Sequence, residues 1–522
     1  MSKVAEITRK MGGGAFSVAL AAICVAAALP SYANTAVWAG DVAGSVDDET
    51  KWVNGYKPQA GDTLDFSAVT ATGMTNLSDY RAINGPSNET HFTTLTGLDH
   101  VYLGGTSDGD VAYWNVDYLE YDNGHRFVVG SLAQLNVAGK ITVKGSNRVI
   151  FNQGSRWIDA DELELKSSLT TMSYNACKLR LRRLTCTNRS GKTVYLSANN
   201  EGQKNQFVIG SGGVGFNGAD SGTSFFAIQS SRAIRFDPSA DWTLGKGRTS
   251  GNLALHFMSG GKQTLEIGTT DHYDATVPRT VTFEGGVGAN MGLTDGQLIV
   301  DGIGTLVFNT VTGGHQFNSP ITVKDTATLA LRDTAVAPLG ALNFNSGTTL
   351  KVVQTNPTGI VELGGKVTLA ANSTLEFDLA ANSATSALKV ANLALPATGT
   401  VKVKLAESTA GRYTLAEGLP EGTTAANFAA VNDNGASTYL SVYVEGDKLV
   451  AVITRKATWK SNAGGDMSVA SNWVDGYVPQ AGDTLDFSVL SGSYKAISED
   501  FNDERSFETV IALTYLYMGE AT

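Results

Sequence analysis

Short apolar segments recur at a regular spacing through the second half of the chain. Several alternate apolar with polar residues, as in Ile321–Val323 and Leu342–Phe344, and this alternation is typical of strands with one buried face. Two such segments begin eight residues apart, and the pairs recur every 21 to 26 residues: Leu298/Leu306, Ile321/Leu329, Leu342/Leu350, Val367/Leu375 and Leu393/Val401. One recurrence has the contour length of one coil of a three-sided parallel β-helix.

A single coil cannot bury its own apolar face, and stacking on neighbouring coils completes the core. No stretch keeps an apolar period of 3.6 residues, which excludes a helical array. Residues 113–456 leave room for about a dozen or more coils, a rod on the order of 60 to 70 Å at the usual strand spacing. Turns are expected at Gly/Asn clusters such as residues 345–347 and 364–365. We therefore predict an all-β fold with a parallel β-helix over residues 113–456.

A long-range duplication flanks this array. Residues 52–67 recur as residues 473–488 with 14 of 16 positions identical, and Trp38 and Trp459 keep the same offset of 421 residues. A weaker match between residues 92–104 and 507–519 follows at an offset of 415.

The duplication predicts a Trp/Gly-Asp module at each end, the first over residues 34–112 and the second over 457–522. We expect the second copy to be incomplete, because coils like those after the first copy are missing beyond it; the alternative is a terminal cap. Four of the seven tryptophans lie in the two copies. Packing against the coils is favoured for them over stacking on sugars.

The first residues have the layout of a secretory signal peptide. Three cations precede an apolar run over residues 15–29, and Ser31 and Ala33 form a small-x-small site. At about 15 residues the run is shorter than the roughly 20 needed to span a bilayer. We predict a signal peptide over residues 1–33, a mature chain that begins at Asn34, no further transmembrane segment, and a secreted or cell-surface location.

The composition suits this compartment. The chain has 58 Gly, 11 Pro and only 17% charged residues, and its net charge of −11 argues against nucleic acid as a partner. Cys177 and Cys186 are the two cysteines beyond the signal. A disulfide between them needs an intervening turn, so pairing and free thiols both stay open.

Candidate chemistry is sparse. The Gly-His-Gly and Arg-Ile-Lys motifs of a polygalacturonase-like site are absent, and the six histidines lack metal-ligand spacing. The acidic run at residues 47–49 is expected to be a solvated loop rather than a calcium or catalytic cluster. The glycine-rich residues 212–217 and 285–290 are expected to form flexible turns. We predict no catalytic, cofactor-binding or metal-binding residue and no cofactor.

For two surface patterns, ligand binding is the alternative to a purely structural interpretation. The alternation of cations and leucines in residues 178–182 predicts a strand with a solvated basic face, and a binding patch is the alternative. Tyr113, Trp114, Tyr118 and Tyr121 would stack on sugars only in part, because neighbouring positions of a strand point to opposite faces.

The strand segments resemble the autotransporter-associated β-strand repeat family. Gly-Thr-Leu and Thr-Val strands of that kind occur at residues 304–308, 320–323, 327–331 and 347–350, and residues 472–487 resemble a Trp/Gly-Asp module of large exported proteins. The resemblance implies a right-handed, pectin-lyase-like β-helix, a passenger displayed or released outside the cell. The membrane barrel of that family has no counterpart in the sequence.

These features together predict an exported structural or adhesive β-solenoid of the cell surface, without catalytic activity. Its expected partners are surface glycans or components of host or neighbouring cells. The alternative is a carbohydrate-active, pectate-lyase-like β-helix enzyme or a glycan-binding protein. A groove in which carboxylates, basic groups and aromatic residues converge would favour the alternative.

Overall fold

The computed structural model describes residues 33–519, with gaps at 71–80, 99, 122–127, 145–156, 167–169, 173–177, 188–193, 197–204, 218–223, 229–232, 237, 239, 245–252, 258–263, 269–276, 284–285, 290–296, 310–319, 335–339, 382, 384, 407–409, 433–437 and 500–503. Cys177 and the predicted signal peptide up to residue 32 lie outside the described residues, and so does the side chain of Cys186.

The first module consists of six strands that pair in parallel. They are β1 (Thr35–Val37), β2 (Gly44–Ser45), β3 (Thr63–Asp65), β4 (Arg81–Asn84), β5 (His91–Thr96) and β6 (Val101–Gly104), with short 3-10 helices at Glu49–Lys51 and Val53–Gly55. In register, β1 pairs with β3 and β3 with β5, while β2 pairs with β4 and β4 with β6. Two sheets therefore start within this module.

Longer strands follow the first module. They are β7 (Ala112–Tyr121), β8 (Val128–Val129), β9 (Ala133–Val143), β10 (Trp157–Leu165), β11 (Thr170–Met172), β12 (Lys178–Thr187), β13 (Val194–Leu196), β14 (Asn205–Asn217), β15 (Ser224–Ile228), β16 (Ala233–Phe236), β17 (Trp242–Leu244), β18 (Leu253–Phe257), β19 (Thr264–Ile267), β20 (Thr280–Phe283) and β21 (Gly286–Ala289). Because β5 pairs in parallel with β7 and β7 with β9, the first module runs directly into the array.

The most regular coils lie between residues 297 and 405. Their strands are β22 (Gln297–Val300), β23 (Thr305–Phe308), β24 (Ile321–Val323), β25 (Thr328–Arg332), β26 (Leu342–Phe344), β27 (Thr349–Val353), β28 (Val361–Leu369), β29 (Thr374–Asp378), β30 (Leu388–Ala394) and β31 (Val401–Leu405). The residues predicted to begin the first apolar segment of each coil, from Leu298 to Leu393, lie opposite one another in successive strands. The second series pairs as predicted up to Leu375, which lies opposite Val403 and not Val401.

Left-handed residues mark the corners of these regular coils. Gly302, Asp325, Gly347, Asn372 and Gly399 all have a φ between +60° and +85°. Glycine, asparagine and aspartate tolerate this conformation best, and so the turn predicted at residues 345–347 is confirmed. The turn predicted at residues 364–365 is wrong, because both glycines lie within β28, where its register against β30 shifts.

The array ends in antiparallel strands, which the sequence did not predict. The last strands are β32 (Gly411–Glu417), β33 (Phe428–Ala430), β34 (Thr438–Glu445) and β35 (Lys448–Thr458), with a 3-10 helix at Ala425–Asn427. Of these, β33 still pairs in parallel with β31. β35 pairs antiparallel with β32 and with β34, and Gly446, with a φ of 63°, lies in the tight turn from β34 to β35.

The second module stacks on the far end of β35. Its strands are β36 (Gly465–Asp466), β37 (Thr484–Asp486), β38 (Lys495–Ser498), β39 (Thr509–Ile511) and β40 (Leu516–Gly519), with 3-10 helices at Ala470–Asn472, Val474–Gly476 and Leu513–Tyr515. β35 pairs in parallel with β37, and β37 with β39.

The described residues thus form an all-β solenoid of about 13 turns with 5% helix, which confirms the predicted fold class. The right-handed sense of the coil and the division of the chain into an array with a module at each end stay predictions. One continuous apolar core extends from Ala36 to Ile453, and a separate small core around Trp459, Trp473 and Phe487 belongs to the second module. Among the described residues, no helix has the length and apolar character needed to cross a membrane.

Candidate functional site

The coils that contain β7, β9, β10, β12 and β14 differ from most of the regular coils because these long strands run across a bend instead of ending at a corner, as β28 also does. β7, β9, β10, β12 and β14 are 9 to 13 residues long. The register shifts at the bend, where Val116 pairs with Val137 but Tyr118 pairs with Lys140. The shift between β7 and β9 inserts one extra residue and the shift between β12 and β14 inserts two. Such bulges sharpen the local twist and bend the sheet.

Glycines occupy the bend, where neighbouring strands approach closely. A Cβ at Gly139 would lie 2.7 Å from the carbonyl oxygen of Asp117, and a Cβ at Gly212 would lie 2.7 Å from the Cβ of Arg183. Neither position has room for a side chain. The turn predicted for residues 212–217 is therefore wrong, since they lie inside β14. The turn predicted for residues 285–290 is likewise wrong over residues 286–289, which form β21.

Beside the bend, five polar side chains occupy the same register position in successive coils. They are His91, Asn115, Asn136, Asp159 and Arg180, and each pairs with the next across the sheet. We call these residues the polar ladder. Four strand steps of about 4.8 Å make it roughly 19 Å long.

Hydrogen bonds connect the ladder along its length. Asn136 Nδ2 donates to Asn115 Oδ1 at 2.8 Å. Gln134 Nε2 donates to Asn136 Oδ1 at 2.9 Å and to Asp159 Oδ2 at 3.1 Å. At the end of the ladder, His91 Nε2 lies 2.9 Å from Asp117 Oδ1. Within the described part of the chain, Asn115 Nδ2 has no protein partner, and its N–H groups are available to a ligand.

Two arginines of β12 are held by carboxylates of β10. The guanidinium of Arg180 makes a two-pronged ion pair with Asp159 and lies 5.0 Å from the ring centre of Trp157. Arg182 pairs with Asp161 in the same way. The hydrogen bond from Arg182 holds the pKa of the Asp161 carboxyl below its usual range. The predicted solvated basic face is thus largely neutralised by its neighbours.

The ladder lines an open groove with a volume of about 660 Å³, together with residues such as Ala138, Arg182 and Ser211. Tyr118 adjoins it at the bend. Its ring passes over Gly139, since its Cε1 would lie 3.2 Å from a Cβ at that position, and its side chain is 51% exposed. The carboxylate of Asp159 and the basic side chains of Arg180 and Arg182 therefore line this groove, and the exposed ring of Tyr118 lies at Gly139, next to the lining residue Ala138.

Only part of the predicted aromatic strip faces solvent. Tyr113 and Tyr118 are exposed, whereas Trp114 and Tyr121 are buried in the core. This confirms that only a subset is exposed together, but the division by odd and even positions is wrong beyond the bend, where the alternation breaks at Asp117 and Tyr118. Sequence reasoning missed His91, Asn115, Asn136 and Asp159, because residues 21 to 24 positions apart meet only once the register of the coils is known.

The module tryptophans pack inside the protein, as predicted. Trp38 and Trp52 are buried with ring centres 4.9 Å apart at an interplanar angle of 88°, and Trp459 and Trp473 repeat the same distance and angle. Each pair also contacts a phenylalanine at 5.6 to 5.8 Å. The two copies thus have the same aromatic core.

The acidic run at residues 47–49 stabilises loops of the first module. Asp47 accepts hydrogen bonds from the backbone N–H and hydroxyl of Ser87, and Asp48 caps a short helix through Thr50. Over the described ranges, no three His, Cys, Asp or Glu side chains are grouped as metal ligands would be.

No protein-family model matches the chain, and neither a curated protein nor a solved structure matches it. The fold and the groove therefore carry the functional interpretation, and the likeness to autotransporter passengers stays a prediction from the repeated strand motifs.

Proposed function

We propose that the chain is an exported structural or adhesive protein of the cell surface, without catalytic activity. The observation that carries the proposal is the uninterrupted parallel ladder of about 13 turns over one continuous core. Each coil is held by its neighbours on both sides, so the fold forms a stiff, elongated scaffold that can present side chains along its length. The sequence layout of residues 1–33 supports export.

The arginine-paired carboxylates of β10 support a binding role over a catalytic one. General acid–base catalysis needs a carboxyl or imidazole that can reach the substrate and change its protonation state. Asp159 and Asp161 are each engaged by both prongs of an arginine. Asp161, with its lowered pKa, stays ionised at neutral pH. Such paired groups hold a ligand well but are poor proton carriers.

The location is tested by producing residues 1–522 in a Gram-negative host beside a variant without residues 1–33. We expect the full chain to leave the cytoplasm and to begin at Asn34 by mass spectrometry, and the variant to stay inside. An intact Met1 on exported protein, or equal distribution of both chains, contradicts the proposal.

The absence of catalysis is tested with the purified mature chain on pectin, polygalacturonate and neutral polysaccharides. We expect no new reducing ends and no unsaturated products. Turnover that is lost in Asp159→Asn would replace the structural role by the enzymatic alternative.

A further inference from the structure

We propose that the groove over the polar ladder binds an extended, uncharged oligosaccharide through its hydroxyl groups. This inference deepens the adhesive function proposed above and rests on it for its biological role. Asn115, Asn136 and the Arg180–Asp159 pair would make the hydrogen bonds, and Tyr118 would stack on one sugar ring.

The position of the groove excludes a peptide that adds as a strand. Peptides of that kind pair with an exposed sheet edge. Here β7, β9, β10 and β12 are each paired on both sides, so their backbone N–H and C=O groups are used within the sheet. A ligand of this groove must therefore be recognised by side chains.

The charges around the groove disfavour an acidic polymer. Binding of uronates, sulfates or nucleic acid relies on arginine or lysine groups that are free to pair with the ligand. Arg180 and Arg182 are already paired with Asp159 and Asp161, and Asp117 adds a further carboxylate beside His91. An incoming anion would compete with carboxylates that are held in place, whereas a neutral sugar would not.

The amide groups and arginine–aspartate pairs of the groove match the chemistry of neutral sugars. Amides and fixed ion pairs offer closely spaced donors and acceptors, which suits vicinal hydroxyl groups. They repeat at every coil, about 4.8 Å apart, close to the length of one pyranose ring. The ring of Tyr118 is exposed at the bend, where it can cover the apolar C–H face of a sugar.

A purely structural ladder is the rival explanation, because stacked amides also stabilise a solenoid. The regular coils contain a matched position: Asn343 of β26 is half-buried and lies in register between Thr322 and Thr368. Tyr494 is 75% exposed in the second module and matches Tyr118 as an exposed tyrosine. Both residues lie outside the groove, so they serve as controls for truncation.

The test uses the purified mature chain and neutral gluco-, xylo- and manno-oligosaccharides of two to six rings, with galacturonate oligomers of equal length. Binding is followed by saturation-transfer NMR and calorimetry. We expect at least one neutral series to bind, with affinity that rises up to about four or five rings because the ladder crosses five coils. The galacturonate oligomers should bind at least tenfold more weakly.

Truncation should then locate the binding. Asn136→Ala and Tyr118→Ala should each weaken it by about five- to tenfold, while Asn343→Ala and Tyr494→Ala leave it unchanged. If no neutral oligosaccharide binds at millimolar concentration, if galacturonates bind as tightly, or if the control variants weaken binding equally, the inference is wrong. These binding measurements do not depend on export. A negative binding result therefore contradicts the inference without affecting the proposed surface location, and a cytoplasmic location would not change the binding result.

Discussion

The weak match between the two modules contains a natural glycine-to-alanine exchange. Gly97 of the first copy corresponds to Ala512 of the second, and both have left-handed backbone with φ values of 70° and 63°. A Cβ at Gly97 would lie 2.1 Å from the backbone nitrogen of Ser67, in a place where no side chain can move aside. The second copy accommodates its alanine at the cost of the left-handed strain, which is about 1–2 kcal/mol.

Reciprocal substitutions should therefore have unequal effects. Gly97→Ala adds the left-handed strain and a backbone clash, and we expect it to destabilise the first module by roughly 2–4 kcal/mol. Ala512→Gly removes the strain, but the greater conformational freedom of glycine stabilises the unfolded chain by about 0.4–1 kcal/mol. We therefore expect the free energy of unfolding to rise by roughly 0.5 kcal/mol. Gly109→Ala is the control for strain without a clash, because Gly109 has a φ of 86° and open space around it.

Hydrogen exchange with mass spectrometry measures these effects locally, which matters because a long array need not unfold in one step. In Gly97→Ala, exchange in residues 92–104 should accelerate at least tenfold. In the control Gly109→Ala, exchange around residue 109 should accelerate by a smaller factor. In Ala512→Gly, exchange in residues 507–519 should slow about twofold. If Gly97→Ala costs no more than Gly109→Ala, the backbones at Gly97 and Ser67 of the first module do not approach as closely as the structure has them.

Three further outcomes are expected. Described residues within 490–519 should exchange faster than those within 64–104, because Val510, Leu513 and Tyr517 are 37–62% exposed while their first-copy counterparts are largely buried; equal protection would favour a self-sufficient cap. Asp62→Ala should cost about 2–4 kcal/mol in chemical denaturation, since this buried carboxylate accepts three hydrogen bonds; an effect as small as that of Asp108→Ala would contradict this. The hydrogen bond that Tyr56 donates to Asp62 raises the pKa of Tyr56. The stability that this hydrogen bond contributes should therefore be lost only as the pH rises above about 10. Tyr56→Phe should remove that loss of stability at alkaline pH.

The regular coils were predictable because their information is local. Alternating residues such as Ile321–Val323, separated by corners that favour glycine or asparagine, define strand, turn and period together. The bent coils were not predictable in the same way. In β14 the glycines that usually mark a turn instead allow neighbouring strands to approach, and Gly212 shows this only when the position of Arg183 is known. The same limit applies to the shift that places Leu375 opposite Val403.

The groove follows from this difference between the two kinds of coil. In the regular coils a left-handed residue such as Gly347 separates two short strands, so the outer surface changes direction at a sharp corner. In β9 the corner is replaced by a bend at Gly139, and the strand runs on across it in the same sheet. The outward side chains of stacked bends then line one continuous depression. A repeat array acquires a binding surface by altering its corners while the buried positions keep their pattern, which is why the chemistry of this chain lies in positions that the apolar period does not mark.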